Sequence, residues 1–473
     1  MSVIAAAPVL ALLAASSLCA QTLVVRNVTV VDVDGARPAS TVVIAKGRIL
    51  SEGRARAVPR GATVIDGKGK FLIPALWDMH VHLWETDPMA RLYVAAGVLG
   101  VRDMGSDLVR TRALKADILA GRITGPHIYS SGPVIDGPQS TIEEAMVLKA
   151  GTPEDARRAV DSVEKASADF VDILSGLSAD SYQSVAQRAR VIRMPFAGHL
   201  PDSVSALDAI NARQKSIEHL FGIALACSPL EPTLREARIQ AAAKNDAAAL
   251  RKVQQRIYDT FSPGAANALF HRMARFGVWQ TPTLTLWQRM TLLDVERRTS
   301  APELKYVPAA IRSTWTDPHR KLEKTKAAAL AELRKDYDFH ANLVKILSGS
   351  GAGLLAGTDT GDPYVVPGFA LHNELELLVK AGLTPLEALN SATIAPARYF
   401  ERESVRGTVH RGMAADLILL DADPLADIRN TRRIAAVIYN GRLLNRKCLD
   451  GLLEGKQAGC PSVYSPASRP RKR

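Results

Sequence analysis

Cysteine is scarce in this chain. There are four in 473 residues, Cys19, Cys227, Cys448 and Cys460, and no two have the spacing of a zinc–thiolate site. Any metal chemistry must therefore use histidine and carboxylates. Aromatic residues make up only 5 % of the chain. They do not interleave with a basic stripe, and no nucleic-acid motif is present, so nucleic acid is set aside as a partner. Charged side chains are missing before Arg26, and Met1–Ala20 is the one run apolar enough to enter a bilayer. It reads as an export signal cut after Ala20, which implies a periplasmic or secreted protein with no stable membrane span once the signal is gone. Cys448 and Cys460 close a short loop that can bridge in an oxidising compartment, leaving Cys227 as a lone thiol. The formal charge of +12 is partly local: Arg469, Arg471, Lys472 and Arg473 lie in a tail without apolar pattern.

What is present is an alternation of strands and helices. Short strands with turn signals run from Thr22 to Val64, and a similar β-rich stretch returns in TVHRGMAADLILLD and AAVIYNGRLL near the C-terminus. Between them lie eight apolar strand-like runs: Pro74–Leu83, Gly97–Gly105, His127–Pro133, Asp169–Gly176, Met194–Leu200, Lys215–Leu220, Val278–Leu284 and Gly353–Asp359. Helical patterns separate them. This predicts an α/β fold, a (β/α)8 TIM-like barrel with a small β-sandwich built from both chain ends. The expected division is a signal at 1–20, sandwich parts at 21–73 and 404–447, the barrel at 74–403 and a tail at 448–473. Two long connections, Ser228–Gly277 and Trp287–Gly353, exceed what barrel helices need. The second, with Tyr306 and Trp315, is expected to cover the barrel mouth. The helix at Thr384-Pro385-Leu386-Glu387 should start with a capping box.

Of ten histidines, four fall at the ends of expected strands: His80 and His82 on the first, His199 on the fifth and His219 on the sixth. Asp359 ends the eighth. Strand C-termini form the working mouth of such a barrel. His80 and His82, two residues apart, share one face of their strand and can hold one ion together. Imidazole and carboxylate donors around an open position are what a catalytic zinc site requires.

The segments PALWDMHVHLW, GVRDMG, AGHLPDS, SIEHL, GTDTG and GMAADLILLDADPL, in that order, resemble the amidohydrolase superfamily. The nearest likeness is to its imidazolonepropionase-like and prolidase-like dipeptidase branch, over nearly all of Thr22 to Leu444. The resemblance implies one or two divalent metals, zinc or another ion. His80, His82 and Asp359 would hold the first, and His199 and His219 the second. Asp359 would also accept a proton from the attacking water, and His219 would stabilise the oxyanion. The implied activity is hydrolysis of a C–N amide bond in a dipeptide or N-acyl amino acid by metal-activated water.

One position departs from the branch. Its fourth strand carries a lysine whose carboxylated side chain bridges two metals, and here that position is Asp172. The Asp carboxyl falls short of that point by roughly 5 Å at standard bond lengths. Three readings stay open: one metal; two metals with Asp172 acting through water; or an inactive binding homologue. A single metal would also suit a cyclic-amide hydrolase or deaminase. For a peptide-like substrate with a carboxylate, Arg102 and Tyr306 are the candidate contacts. Homo-oligomerisation is left open.

Overall fold

The computed structural model describes residues 22–54, 56–83, 89–457 and 459–464. The expected signal and the basic end of the tail lie outside the described residues. Strands from both chain ends share one sheet, in the order Arg442–Asn445, Ile434–Tyr439, Leu417–Leu420, Phe71–Pro74, Leu23–Asp32, Gly35–Ala45 and Arg48–Ser51. Leu23–Asp32 pairs in parallel with Thr63–Asp66 along its first half and with Phe71–Pro74 along its second. Both chain ends thus contribute strands to one hydrogen-bonded sheet, as expected of a small β domain built from the two termini.

Strand periodicity explains how this sheet is held. Leu417 and Leu419 point into a β core with Val25, Val28, Val30, Ile44 and Leu72. Ile418 and Leu420 point the other way, into the main α/β core with Ile73, Val98 and Leu375. The C-terminal strand Leu417–Leu420 is thus buried on both faces and pairs antiparallel with Phe71–Pro74, Ile418 facing Ile73.

The middle of the chain builds parallel sheets. Leu76–Val81, Val98–Asp103 and His127–Ser130 form one. Val147–Lys149, Val134–Asp136, Val171–Ile173, Phe196–Gly198, Ser216–Glu218 and Trp279–Thr281 form the other. Seven of the eight expected runs thus contain a strand. The eighth, 353–359, makes no strand of its own. Its backbone instead links the two sheets: Gln280 N–H donates to Gly353 O (2.8 Å), Met79 N–H to Ala356 O (2.9 Å) and Asp359 N–H to His80 O (2.8 Å). Gly357 is what allows this passage, because a Cβ there would lie 2.7 Å from His80 Cβ and 2.6 Å from Thr281 Cγ2. Buried Asp78 ties the same segment down, accepting from Thr358 N–H and Oγ1 (3.1 and 2.7 Å).

The long second connection folds as short helices, Leu284–Met290, Val295–Thr299, Ala309–Arg312 and Pro318–Glu323, before Ala327–Ser348. Trp315 packs on Tyr364 and Tyr306 on Phe369. The Thr384 capping box forms as expected. The expected tail is ordered at its start: helix Arg446–Leu453 buries Leu449 and Leu452, and Cys448 is bonded to Cys460. Cys227 is free and buried. Among the described residues no helix is long and apolar enough to cross a membrane.

Because Ile418 is fully buried against the main core, Ile418→Ala should cost about 2–5 kcal/mol in urea unfolding. A loss under 1 kcal/mol would show that the two-ended sheet is not part of the cooperative core.

Candidate metal centre

The parallel strands and the 353–359 segment that links them bring His80, His82, His199, His219, Asp359 and Asp172 together. The backbone turns sharply there. His219, Leu220, Thr283 and Asp359 all have φ between 49° and 60°, a left-handed conformation that costs free energy in non-glycine residues. Ring centroids lie 5.3 Å apart for His80–His82, 4.5 Å for His80–His219 and 5.1 Å for His199–His219.

Each imidazole has its Nδ1 against a protein oxygen. His80 Nδ1 meets Glu218 Oε2 at 2.9 Å, His82 Nδ1 meets Gly105 O at 3.3 Å, His199 Nδ1 meets Ser175 Oγ at 2.9 Å and His219 Nδ1 meets Thr283 Oγ1 at 2.7 Å. Carboxylate and carbonyl oxygens only accept, so His80 and His82 carry hydrogen on Nδ1. Thr283 donates its hydroxyl hydrogen to Pro282 O (2.8 Å), so it accepts from His219. Neutral His219 therefore keeps a lone pair on Nε2. That suits a metal ligand and does not suit donation to an oxyanion, the role expected from the resemblance.

His80 Nε2 and His82 Nε2 lie 3.3 and 3.0 Å from Asp359 Oδ1. The donor atoms of these three residues fall within 4.8 Å of one another. A tetrahedral zinc with bonds near 2 Å needs ligand atoms roughly 3.3 Å apart, so this donor set fits a divalent ion. Asp172 is 2 % exposed and its Oδ1 has no partner, which is costly for a buried carboxyl. Gly198 leaves it room, since a Cβ there would lie 2.5 Å from that oxygen. The other His/Asp grouping, Asp32, Asp34 and His410, is a different case. Asp32 there is held by Arg37 (2.6 and 2.9 Å) and by Val409 N–H (2.8 Å).

Electrostatics divide the four imidazoles. Burial opposes charge on His80, but the Asp359 and Glu218 carboxylates outweigh it and lift its pKa to about 10. Burial likewise opposes charge on His82, and Asp359 raises it. Asp359 is raised by burial and then held well below the ordinary carboxylate range by hydrogen bonds from His80 and His82. His199 is pushed down to about 4, first by burial and then by the charge on His80. Burial pushes Asp172 up to about 7.

One of the two candidate substrate contacts is not available where the sequence suggested. Arg102 is fully buried beneath His80. Its guanidinium donates to Glu218 (2.8 Å), Met79 O (2.6 Å), Ser216 Oγ (2.7 Å) and Tyr399 Oη (2.9 Å), leaving nothing for a ligand at the mouth. Tyr306 packs in an apolar cluster with Met89, Leu92, Val366 and Phe369. Sequence reasoning missed Glu218. The available clue was an acidic residue inside the apolar run SIEHL, where a buried carboxylate needs partners. It also missed Asp103, which accepts from Leu83 N–H and from Ser106 and Ser130 hydroxyls at 3.0, 2.5 and 2.5 Å.

Glu218 orients His80 and neutralises Arg102. Glu218→Gln should therefore weaken metal binding by about 10–100-fold in a chelator competition. It should also lower stability by about 3–5 kcal/mol, since Arg102 loses its buried counter-charge. Unchanged metal affinity would show that Glu218 does not set the His80 ring.

Thermus aquaticus dihydroorotase is 39 % identical over 88 residues, 18 % of this chain and 20 % of that protein. Aspergillus niger ochratoxinase is 32 % identical over 111 residues, 23 % of this chain and 22 % of that one. The matched stretches thus span about a fifth of these relatives. Solved structures share the fold over far more of the chain. A bottromycin amidohydrolase aligns with 93 % of this chain and 91 % of its own at TM-score 0.72 and 22 % identity. A Xaa-Pro dipeptidase covers 90 % and 100 % at 0.65 and 18 %. A. niger ochratoxinase covers 95 % and 99 % at 0.66 and 18 %. The family model described as "Amidohydrolase family" matches residues 71–444, and the chain belongs to that family.

Proposed function

We propose that the protein is an exported, metal-dependent hydrolase of a C–N amide bond in a dipeptide or N-acyl amino acid, with its parallel strands closed into a barrel around one divalent ion. The observation that carries this reading is the pre-set donor group: His80 and His82, each anchored through Nδ1, turn Nε2 onto Asp359. Zinc is the first candidate, and His80, His82 and Asp359 would hold it. His199 and His219 stand beside them with Nδ1 engaged. When bound, such an ion polarises a carbonyl and lowers the pKa of a water to about 7.

The chain's own residues do the rest. Asp359 faces both imidazoles and is a carboxylate at neutral pH, so it takes the proton of the attacking water and hands it to the leaving nitrogen. Glu218 and Thr283 keep the His80 and His219 rings in one tautomer and orientation. Asp172 cannot span to a second ion as a carboxylated lysine would. That favours one metal and keeps a cyclic-amide hydrolase as the second reading.

The test is turnover of a dipeptide, N-acyl amino-acid and cyclic-amide panel by the purified protein. Activity should vanish with a chelator and return with a divalent metal. Asp359→Asn should lower kcat by about 10²–10⁴-fold. Turnover that survives complete metal removal would contradict the proposal. Absence of turnover with every metal, in the wild type and in Asp172→Lys, would identify a binding homologue.

A further inference from the structure

With Arg102 locked inside the fold, the cation for a substrate carboxylate must come from elsewhere. The geometry points to Arg289 as the residue that receives the free carboxylate of the substrate, and this inference rests on the amide-hydrolase reading above.

Helix Leu284–Met290 joins two sides of the site. It starts at the His219 side of the site: Thr283, just before it, accepts from His219 Nδ1, and the Trp287 indole donates to His219 O (3.1 Å). Seven helical residues span about 10 Å. At the far end, Arg289 reaches the loop that follows Asp359 and forms an ion pair with Asp362. Asp362 is bridged to Thr360, whose carbonyl accepts from His82 N–H at 2.6 Å. One short helix therefore runs from His219 to the Asp359 loop and sets a guanidinium one ion pair away from the metal-binding segment.

The state of that guanidinium matters as much as its place. Arg289 Nε is buried with no acceptor, and Asp362 is its counter-charge. Buried N–H groups without an acceptor are rare in native proteins. Two arginines beside Asp202 are better satisfied. Arg235 donates to Asp202 O, Val204 O and Glu231, and Arg238 to Asp202 and Gln254. Arg298 shares the unpartnered Nε, but its side chain is only 8 % exposed against 24 % for Arg289, and it lies between Asp294 (3.3 Å), Pro363 O (3.4 Å) and the Tyr364 ring. Of these four, Arg289 is the one that joins a partly exposed side chain, a single acidic partner and an unused donor.

A guanidinium binds a carboxylate through two parallel N–H groups. Asp362 fixes the Arg289 fork before the substrate arrives, which lowers the ordering cost of binding. The substrate class this selects is an amide whose amine half carries a free α-carboxylate, such as an N-acyl amino acid or a dipeptide. A C-terminally amidated analogue lacks the charge that Arg289 would meet.

The experiment uses the full-length protein and two matched probe sets: N-acetyl-L-phenylalanine, N-acetyl-L-leucine and glycyl-L-proline, and the carboxamide of each. Binding is measured by calorimetry and turnover by amine release, for wild type, Arg289→Met and Arg289→Lys. Wild type should prefer the carboxylates over the carboxamides by about 10–100-fold, the range of a charge-assisted pair. In Arg289→Met that ratio should collapse towards one through KM and Kd, and Arg289→Lys should restore part of it. A ratio unchanged in Arg289→Met overturns the proposal, as does a wild type that binds neither set. Carboxylate binding that depends on Arg289 but is never followed by turnover would uphold this inference and refute the hydrolase reading.

Discussion

A single buried ion pair underlies the candidate site. Arg102 and Glu218 meet at 2.8 Å with neither side chain exposed. Desolvating two charges costs several kcal/mol each, and their attraction offsets this only when the remaining donors and acceptors are satisfied. Here they are. Glu218 also accepts from Ser216 Oγ (2.6 Å) and meets His80, while Arg102 reaches backbone and hydroxyl oxygens on neighbouring elements. The network joins strands Leu76–Val81, Val98–Asp103, Ser216–Glu218 and Trp279–Thr281 to Tyr399. Its outermost member is His80. The orientation of the His80 ring, a candidate metal ligand, is therefore tied to a fully buried charge pair.

The site above this pair holds charges in opposition. Two imidazoles that favour the proton share one carboxylate, and two others, desolvated and facing that positive charge, stay neutral. A metal bound by the protonated pair would displace their Nε2 protons, because coordination needs a free nitrogen. The neutral pair has lone pairs ready. Asp172 completes the arrangement as a carboxyl without a partner, next to a glycine. A short acid at this position puts a carboxyl group in the wall of the site.

Much of this was legible in the sequence. The His-x-His pair, the Gly-His and Glu-His strand ends and the terminal Asp359 could be placed because strand periodicity is local and the mouth of a parallel α/β fold lies at strand C-termini. The sharing of one sheet by both chain ends was legible from matching β-rich stretches. Other features were not, because they depend on contacts distant in sequence. The run at 353–359 is apolar like a strand, yet its pairing is reduced to linking bonds where the chain passes His80 and Thr281. Arg102 looked available because its strand position said nothing about Glu218, 116 residues away. Tyr306 lies in a connection whose path is set by packing against Phe369. Arg289 had no sequence signal at all, since its meaning comes from Asp362 across the mouth.

The amidohydrolase family match and the shared fold place this chain among enzymes, but the chemistry rests on its own residues. The central claim is that His80, His82 and Asp359 hold one ion and that Asp172 does not support a second. The most direct measurement is metal content per chain after exhaustive dialysis, by elemental analysis of wild type and of Asp172→Asn. The account predicts one tightly bound divalent ion in both proteins. Two equivalents in the wild type that fall to one in Asp172→Asn, or no bound metal in either, would contradict it.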